Sequence, residues 1–167
     1  MSAEKSDTQE LWSLIKDIRF GMFTHRHPSG MLHSHPLTTQ NKAMDEGATL
    51  YFFISRTSEI ATQIVHDDRI NVAYIDSGQD VYVSVSGRAM IVEDMAKKEA
   101  LWSAMAKAWF PEGPTDPNLA LLQVQISHAE YWNVEESKMV QVVKMVTAAI
   151  TGTPPTNMGE HKELNLS

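Results

Sequence analysis

Apolar residues recur at Leu11, Leu14, Ile15 and Ile18, the spacing of one helix face, so an amphipathic helix is predicted over residues 8–19. A strand over 20–27 follows. The step Pro28-Ser29-Gly30 turns it into a second strand over 31–40. The unbroken run Leu50 to Ile54 suits a strand covered on both faces. Ser58 is placed to cap a helix whose apolar residues are Ile60, Ile64 and Val65. A strand over 70–75 comes next. Val81, Val83 and Val85 then alternate with Tyr82, Ser84 and Ser86, the period-2 pattern of a half-buried strand. Gly87 marks a bend or bulge within it, and the strand runs on through Ile91.

A helix over 95–108 is predicted to bury Leu101, Trp102 and Met105, before a turn-rich loop over 111–117. Leu122, Val124 and Ile126 alternate with Gln123, Gln125 and Ser127, giving a last long strand to Tyr131 and Trp132. Met139, Val142, Val143, Val146 and Ile150 mark one face of a closing helix. About six strands joined by short turns, with helices inserted and flanking, predict a mainly β (α+β) fold built as a small antiparallel barrel. The expected organisation is a flexible N-terminus over 1–7, one domain over 8–151, and a loosely ordered polar tail over 152–167.

Composition narrows the function classes. The formal net charge of −7 and the absence of any basic cluster argue against nucleic acid and anionic membrane as partners. Zero cysteines exclude disulfides and thiolate chemistry and fit a reducing compartment. The polar residues 1–10 lack a signal-peptide pattern, and no apolar run approaches the roughly 20 residues that span a bilayer. The expectation is a soluble, cytoplasmic protein.

Four stretches carry a family resemblance: His33-Ser34-His35-Pro36-Leu37-Thr38-Thr39-Gln40, Phe53-Ile54-Ser55-Arg56-Thr57-Ser58, Trp109-Phe110-Pro111 with Asp116-Pro117, and Ala129-Glu130-Tyr131-Trp132. In this order they resemble the pyridoxamine 5′-phosphate oxidase-like superfamily, its general stress protein branch in particular, over about residues 8–150. The resemblance implies an FMN-binding split β-barrel that works as a homodimer and holds the flavin in a cleft between subunits. FAD or a deazaflavin stays open as an alternative ligand. On this reading His33, His35, Pro36, Leu37, Thr38, Thr39 and Gln40 run along the flavin, and Phe53, Ile54 and Ser55 meet its ring edge. The helix start at Ser58 approaches the phosphate, while Trp109 and Trp132 wall the cleft, partly from the partner chain.

The chain departs from the family pattern at the phosphate. His35-Pro36-Leu37 stands where Arg precedes Pro-Met, and Glu59-Ile60 follows Ser58 where a basic residue is usual. Glu59 suits the helix dipole but repels a phosphate. His33, His35 and Arg56 are expected to compensate by turning inward, giving weak FMN binding that strengthens toward the histidine pKa of about 6.5.

Competing readings of the same residues remain open. His25, His27, His33 and His35 form two His-x-His pairs on neighbouring strands, which a hairpin brings together as imidazole metal ligands; the alternative is a polar rim with flavin neighbours. Trp109, Trp132 and Phe53 also suit plain core packing, as do Trp12 and Trp102. The ten methionines read as core filler, and Glu135-Glu136 and Lys97-Lys98-Glu99 as solvated faces. No nucleophile elbow or glycine-rich phosphate loop is present. A pyridoxamine phosphate oxidase activity lacks basic residues beyond Trp132 for the substrate phosphate, since only Lys138 and Lys144 precede the tail. Three functions therefore compete: an FMN-dependent oxidoreductase for a small substrate, a non-catalytic flavin-binding stress protein, and a metal-binding barrel using the four histidines. No side chain can be named as general acid or base.

Overall fold

In the computed structural model, residues 6–133, 138–154 and 159–166 are described. Helix α1 (Asp7–Ile15) begins at a capping box, in which the Ser6 side chain accepts from the Gln9 amide while the Gln9 side chain accepts from the Ser6 amide. Leu11 and Ile15 are buried. The helix stops short of the expected residue 19, because the Ile18 amide turns back to the Ile15 carbonyl in a tight turn. Of the N-terminus expected to be flexible, Ser6 and Asp7 belong to this capped helix, and residues 1–5 lie outside the described set.

The strands are β1 (Gly21–Arg26), β2 (Leu32–Leu37), β3 (Thr49–Ser55), β4 (Arg69–Asp76), β5 (Val81–Val92), β6 (Leu119–Asn133) and β7 (Glu160–Asn165). They form one antiparallel sheet in the order β2-β1-β4-β5-β6-β3. Gly30, at φ +85°, makes the β1–β2 turn that the Pro-Ser-Gly step predicts. Just past β2 the chain meets β3, through an isolated Thr39–Phe52 bridge and a hydrogen bond from the Gln40 amide to the Tyr51 carbonyl at 2.8 Å. The two ends of the sheet thus curl toward each other, and the apolar faces point inward.

Phe23 and Phe52 meet edge to face at 6.0 Å in that interior, among Leu50, Val72, Val85 and Val124. Helix α2 (Glu59–Gln63), capped by Ser58, adds Ile60 and Ala61 to the core.

Three expectations are corrected. The helix over 95–108 breaks: α3 is Met95–Leu101, Trp102 is extended, and a separate 3-10 turn covers Ala106–Ala108. The Ser103 hydroxyl accepts from the Ala106 amide, a local bond that competes with helix continuation. Leu101 is buried as predicted, Trp102 is half-buried against Phe53 at 5.9 Å, and Met105 is exposed. The tail expected to be loose contains β7, paired to β6 from His128–Asn165 to Asn133–Glu160, with Leu164 buried. The physical reason is an available edge. Pairing of β3 with β6 ends at Thr49–Gln125, so the remainder of β6 offers backbone groups that β7 satisfies. Lastly, helix α4 (Lys138–Thr151) forms, but its apolar side chains Val143, Val146 and Ile150 are exposed rather than packed. The side chains of Met139 and Val142, and residues Glu135 and Glu136, lie outside what the structure describes.

Candidate flavin ledge and histidine cluster

The register of the β1–β2 hairpin sets the first part of the site. His25 pairs with His33, and Phe23 with His35, so all four side chains share one face. Three histidines and one carboxylate meet there. His25 Nε2 lies 3.1 Å from His35 Nε2 and 3.2 Å from Glu59 Oε1, and His33 Nδ1 lies 2.7 Å from the same oxygen. His27 stacks on His33 at 4.3 Å. Only 1% of His25 is exposed, and burial holds its pKa below the ordinary 6.5. The Glu59 carboxyl is pushed up by desolvation, but the His33 hydrogen bond and the neighbouring imidazoles outweigh that and leave it below its usual value.

Glu59 reaches the cluster because it occupies the first turn of α2, directly after its Ser58 cap. The sequence reading missed this carboxylate as a partner of the histidines. Its only signal was an acidic residue where the family has a basic one. Arg56, expected to turn inward, instead forms a bidentate pair with Glu93 at 2.7 and 3.0 Å. His25, His33 and His35 therefore face Glu59 in place of the expected phosphate, with no lysine or arginine among them.

The second part is a ledge where 38–40 runs beside β3. Thr39 turns inward, its hydroxyl 2.6 Å from that of Tyr74, which leaves Thr38 for the opposite face. Gln40 and Phe53 are half-buried, and so are His33, His35, Leu37 and Thr38, whereas Pro36 is exposed. Ile54 points into the core, so only its backbone is offered to a ligand. The Ser55 hydroxyl bonds Asn118 at 3.0 Å, and the Ser58 hydroxyl is committed to the Ala61 amide.

Neither of the two tryptophans is packed in the core. In the Trp109-Phe110-Pro111 loop Phe110 is the buried anchor, while Trp109 is 81% exposed. The buried Asp116 carboxylate holds the same loop through the Glu112 and Asn118 amides. Trp132 is 40% exposed and stacks on His161 of β7 at 4.9 Å. Phe53 pairs with Leu121 of β6, and residues 121–132 of that strand span about 35 Å at about 3.3 Å each. Within one chain, Phe53 and Trp132 thus stand toward opposite ends of β6.

The curled sheet, the closure at Thr39–Phe52 and the flanking helices define a split β-barrel of the FMN-binding type. Residues 6–156 match the family described as pyridoxamine 5′-phosphate oxidase like, and the chain belongs to that family. Protein bli-3 of Neurospora crassa is 27% identical over 156 residues, covering 88% of this chain and 74% of that protein. The general stress FMN/FAD binding protein of Xanthomonas citri superposes with a TM-score of 0.66 at 29% identity, over 78% of this chain and 90% of that one. A structure described as a general stress protein 26, from Jannaschia sp. CCS1, gives a TM-score of 0.72 at 23% identity, over 95% and 97% of the two chains, and supports the fold. Among the described residues no helix is long and apolar enough to cross a membrane.

Proposed function

We propose that this chain is a cytoplasmic, flavin-binding redox protein that holds FMN between two copies of itself. One observation carries the reading. The half-buried ledge of Thr38, Gln40 and Phe53 is far along the sheet from Trp132, and a second chain would bring both into one cleft. The exposed Trp109 and the exposed apolar side of α4 add surface that a partner would cover. The flavin-binding description of the Xanthomonas relative supports the choice of ligand.

The residues fit the ring better than the phosphate. Thr38 and Phe53 offer a flat, partly apolar strand surface, and the backbone near Ile54 and Ser55 offers polar groups to the ring edge. At the phosphate end the fixed charge is the Glu59 carboxylate, already bonded to His33, and Arg56 is committed to Glu93. The chain therefore holds the flavin mainly by its ring system, and the phosphate gains no charge-assisted bond of the usual 1.5–3 kcal/mol or so. A bound flavin supplies the electron transfer, while the chain positions it and limits water.

Titration of the purified protein with FMN and with riboflavin, followed by fluorescence quenching alongside sedimentation, tests this. The expected result is saturable binding of both flavins, within about tenfold of each other, by a dimer. Absence of quenching by either flavin, or tight binding by a stable monomer, overturns it.

A further inference from the structure

The histidine cluster has a property that flavin binding does not use. His25 Nδ1 lies 3.3 Å from the carbonyl oxygen of Arg26, which can only accept, so the hydrogen of the neutral ring sits on Nδ1. Its Nε2 then carries a lone pair, toward which, among the described residues, only His35 Nε2 can direct a hydrogen. That lone pair faces Glu59 Oε1 at 3.2 Å, and a carboxylate oxygen is likewise an acceptor. Two acceptors held face to face, one on a side chain with 1% exposure, repel unless a proton or a cation lies between them.

The spacing suits a cation. His25 Nε2, His35 Nε2 and Glu59 Oε1 form a triangle with sides of 3.1, 3.2 and 3.8 Å. A tetrahedral ion with bonds of about 2.0–2.1 Å holds its ligand atoms about 3.3 Å apart. We propose that His25, His35 and Glu59 bind one divalent transition-metal ion of the zinc or cobalt type, with a fourth position open to solvent.

The surroundings are those of a ligand shell. The Arg26 carbonyl fixes the His25 tautomer, and His33 Nδ1 donates to the ligating carboxylate, the two outer contacts that orient metal ligands. The histidine ligands stand on adjacent, registered strands, so their spacing is set by the hairpin rather than by a loop. In the metal-free ring pair His35 donates Nε2–H to His25. Metal binding moves that hydrogen to His35 Nδ1, and both rings stay neutral. A second arrangement, His27, His33 and Glu59, uses the same carboxylate, so one ion per chain is expected. This proposal does not depend on the flavin reading.

The test is calorimetric titration of chelator-stripped, full-length protein with zinc chloride, paralleled by the visible bands of cobalt(II). One ion per chain is expected, with the strong visible absorption of low-coordinate cobalt. His35→Gln and Glu59→Gln, both at half-exposed positions, are expected to weaken zinc by more than about tenfold while metal-free circular dichroism is unchanged. His161→Ala, which removes the separate His161–Glu130 pair, leaves zinc affinity alone. Zinc is also expected to raise the melting temperature of the parent chain but not of Glu59→Gln. No saturable binding below millimolar zinc overturns the site, as does affinity that survives both cluster variants or falls with His161→Ala. A proton then fills the gap between His25 and Glu59.

Discussion

Gly87 of β5 lies so close to Gln125 of β6 that a Cβ on the glycine would overlap the Gln125 carbonyl oxygen. The register of β5 on β6 shifts between Ser86 and Gly87, so the glycine sits at the bulge that bends the two longest strands. Here the obstacle is backbone, which cannot rotate away as a side chain can. Gly87→Ala is expected to lower stability by about 1–3 kcal/mol, the usual range for overpacking. Urea denaturation checks it, as a lower midpoint with an unchanged slope. A variant as stable as the parent would show that the strands separate here at little cost.

The pairing of β7 is testable through Leu164, whose side chain is fully buried beside Ala129. Leu164→Ala is expected to cost about 2–5 kcal/mol, as for other buried leucines. A loose tail predicts no change on urea denaturation. Neighbouring polar contacts point the same way: the Tyr131 hydroxyl bonds Glu10 and Glu160 at 2.6 and 2.8 Å, and Lys162 bonds Glu10 at 2.9 Å. These contacts join α1, β6 and β7.

Trp109 separates binding from stability. With 81% of its surface exposed it contributes little to the core, so Trp109→Ala is expected to shift stability by no more than about 0.5 kcal/mol. If the tryptophan walls the flavin cleft, the same variant weakens flavin quenching severalfold. Equal affinity in parent and variant would remove Trp109 from the cleft. Its exposure would then have to serve another contact.

Tyr74 gives an alkaline signature. Burial pushes its phenol well above the ordinary 10.0, with the Thr39 hydrogen bond opposing the shift. The unfolded chain loses this proton near its ordinary pKa while the folded chain keeps it. Stability is therefore fully present below about pH 10 and declines as pH rises beyond it. Tyr74→Phe is expected to be less stable at about pH 8, by about 1 kcal/mol for the lost hydrogen bond. Its decline above about pH 10 should be shallower than that of the parent. Parallel declines in chemical denaturation at several alkaline pH values would mean that Tyr74 ionises freely in the folded state.

Local pattern determined the strands that build the barrel. The alternation at Val81, Val83 and Val85, the run from Leu50 to Ile54 and the Pro28-Ser29-Gly30 turn are all realised, because period and turn chemistry act between near neighbours. The motif order likewise placed the chain in its family. Tertiary structure alone decided which groups meet. His33 and Glu59 are 26 positions apart, and only the seating of α2 against the hairpin puts a carboxylate among the imidazoles. Strand β7 was equally hidden, since 160–165 carries one buried apolar residue and forms because β6 leaves backbone groups unpaired. The closing helix shows the converse. Its apolar face was evident from spacing, but spacing cannot name what covers a face, and within one chain Val143, Val146 and Ile150 stay exposed. Periodicity records how far a residue turns from its neighbours along the chain; the partner across space is set by packing that no local pattern contains.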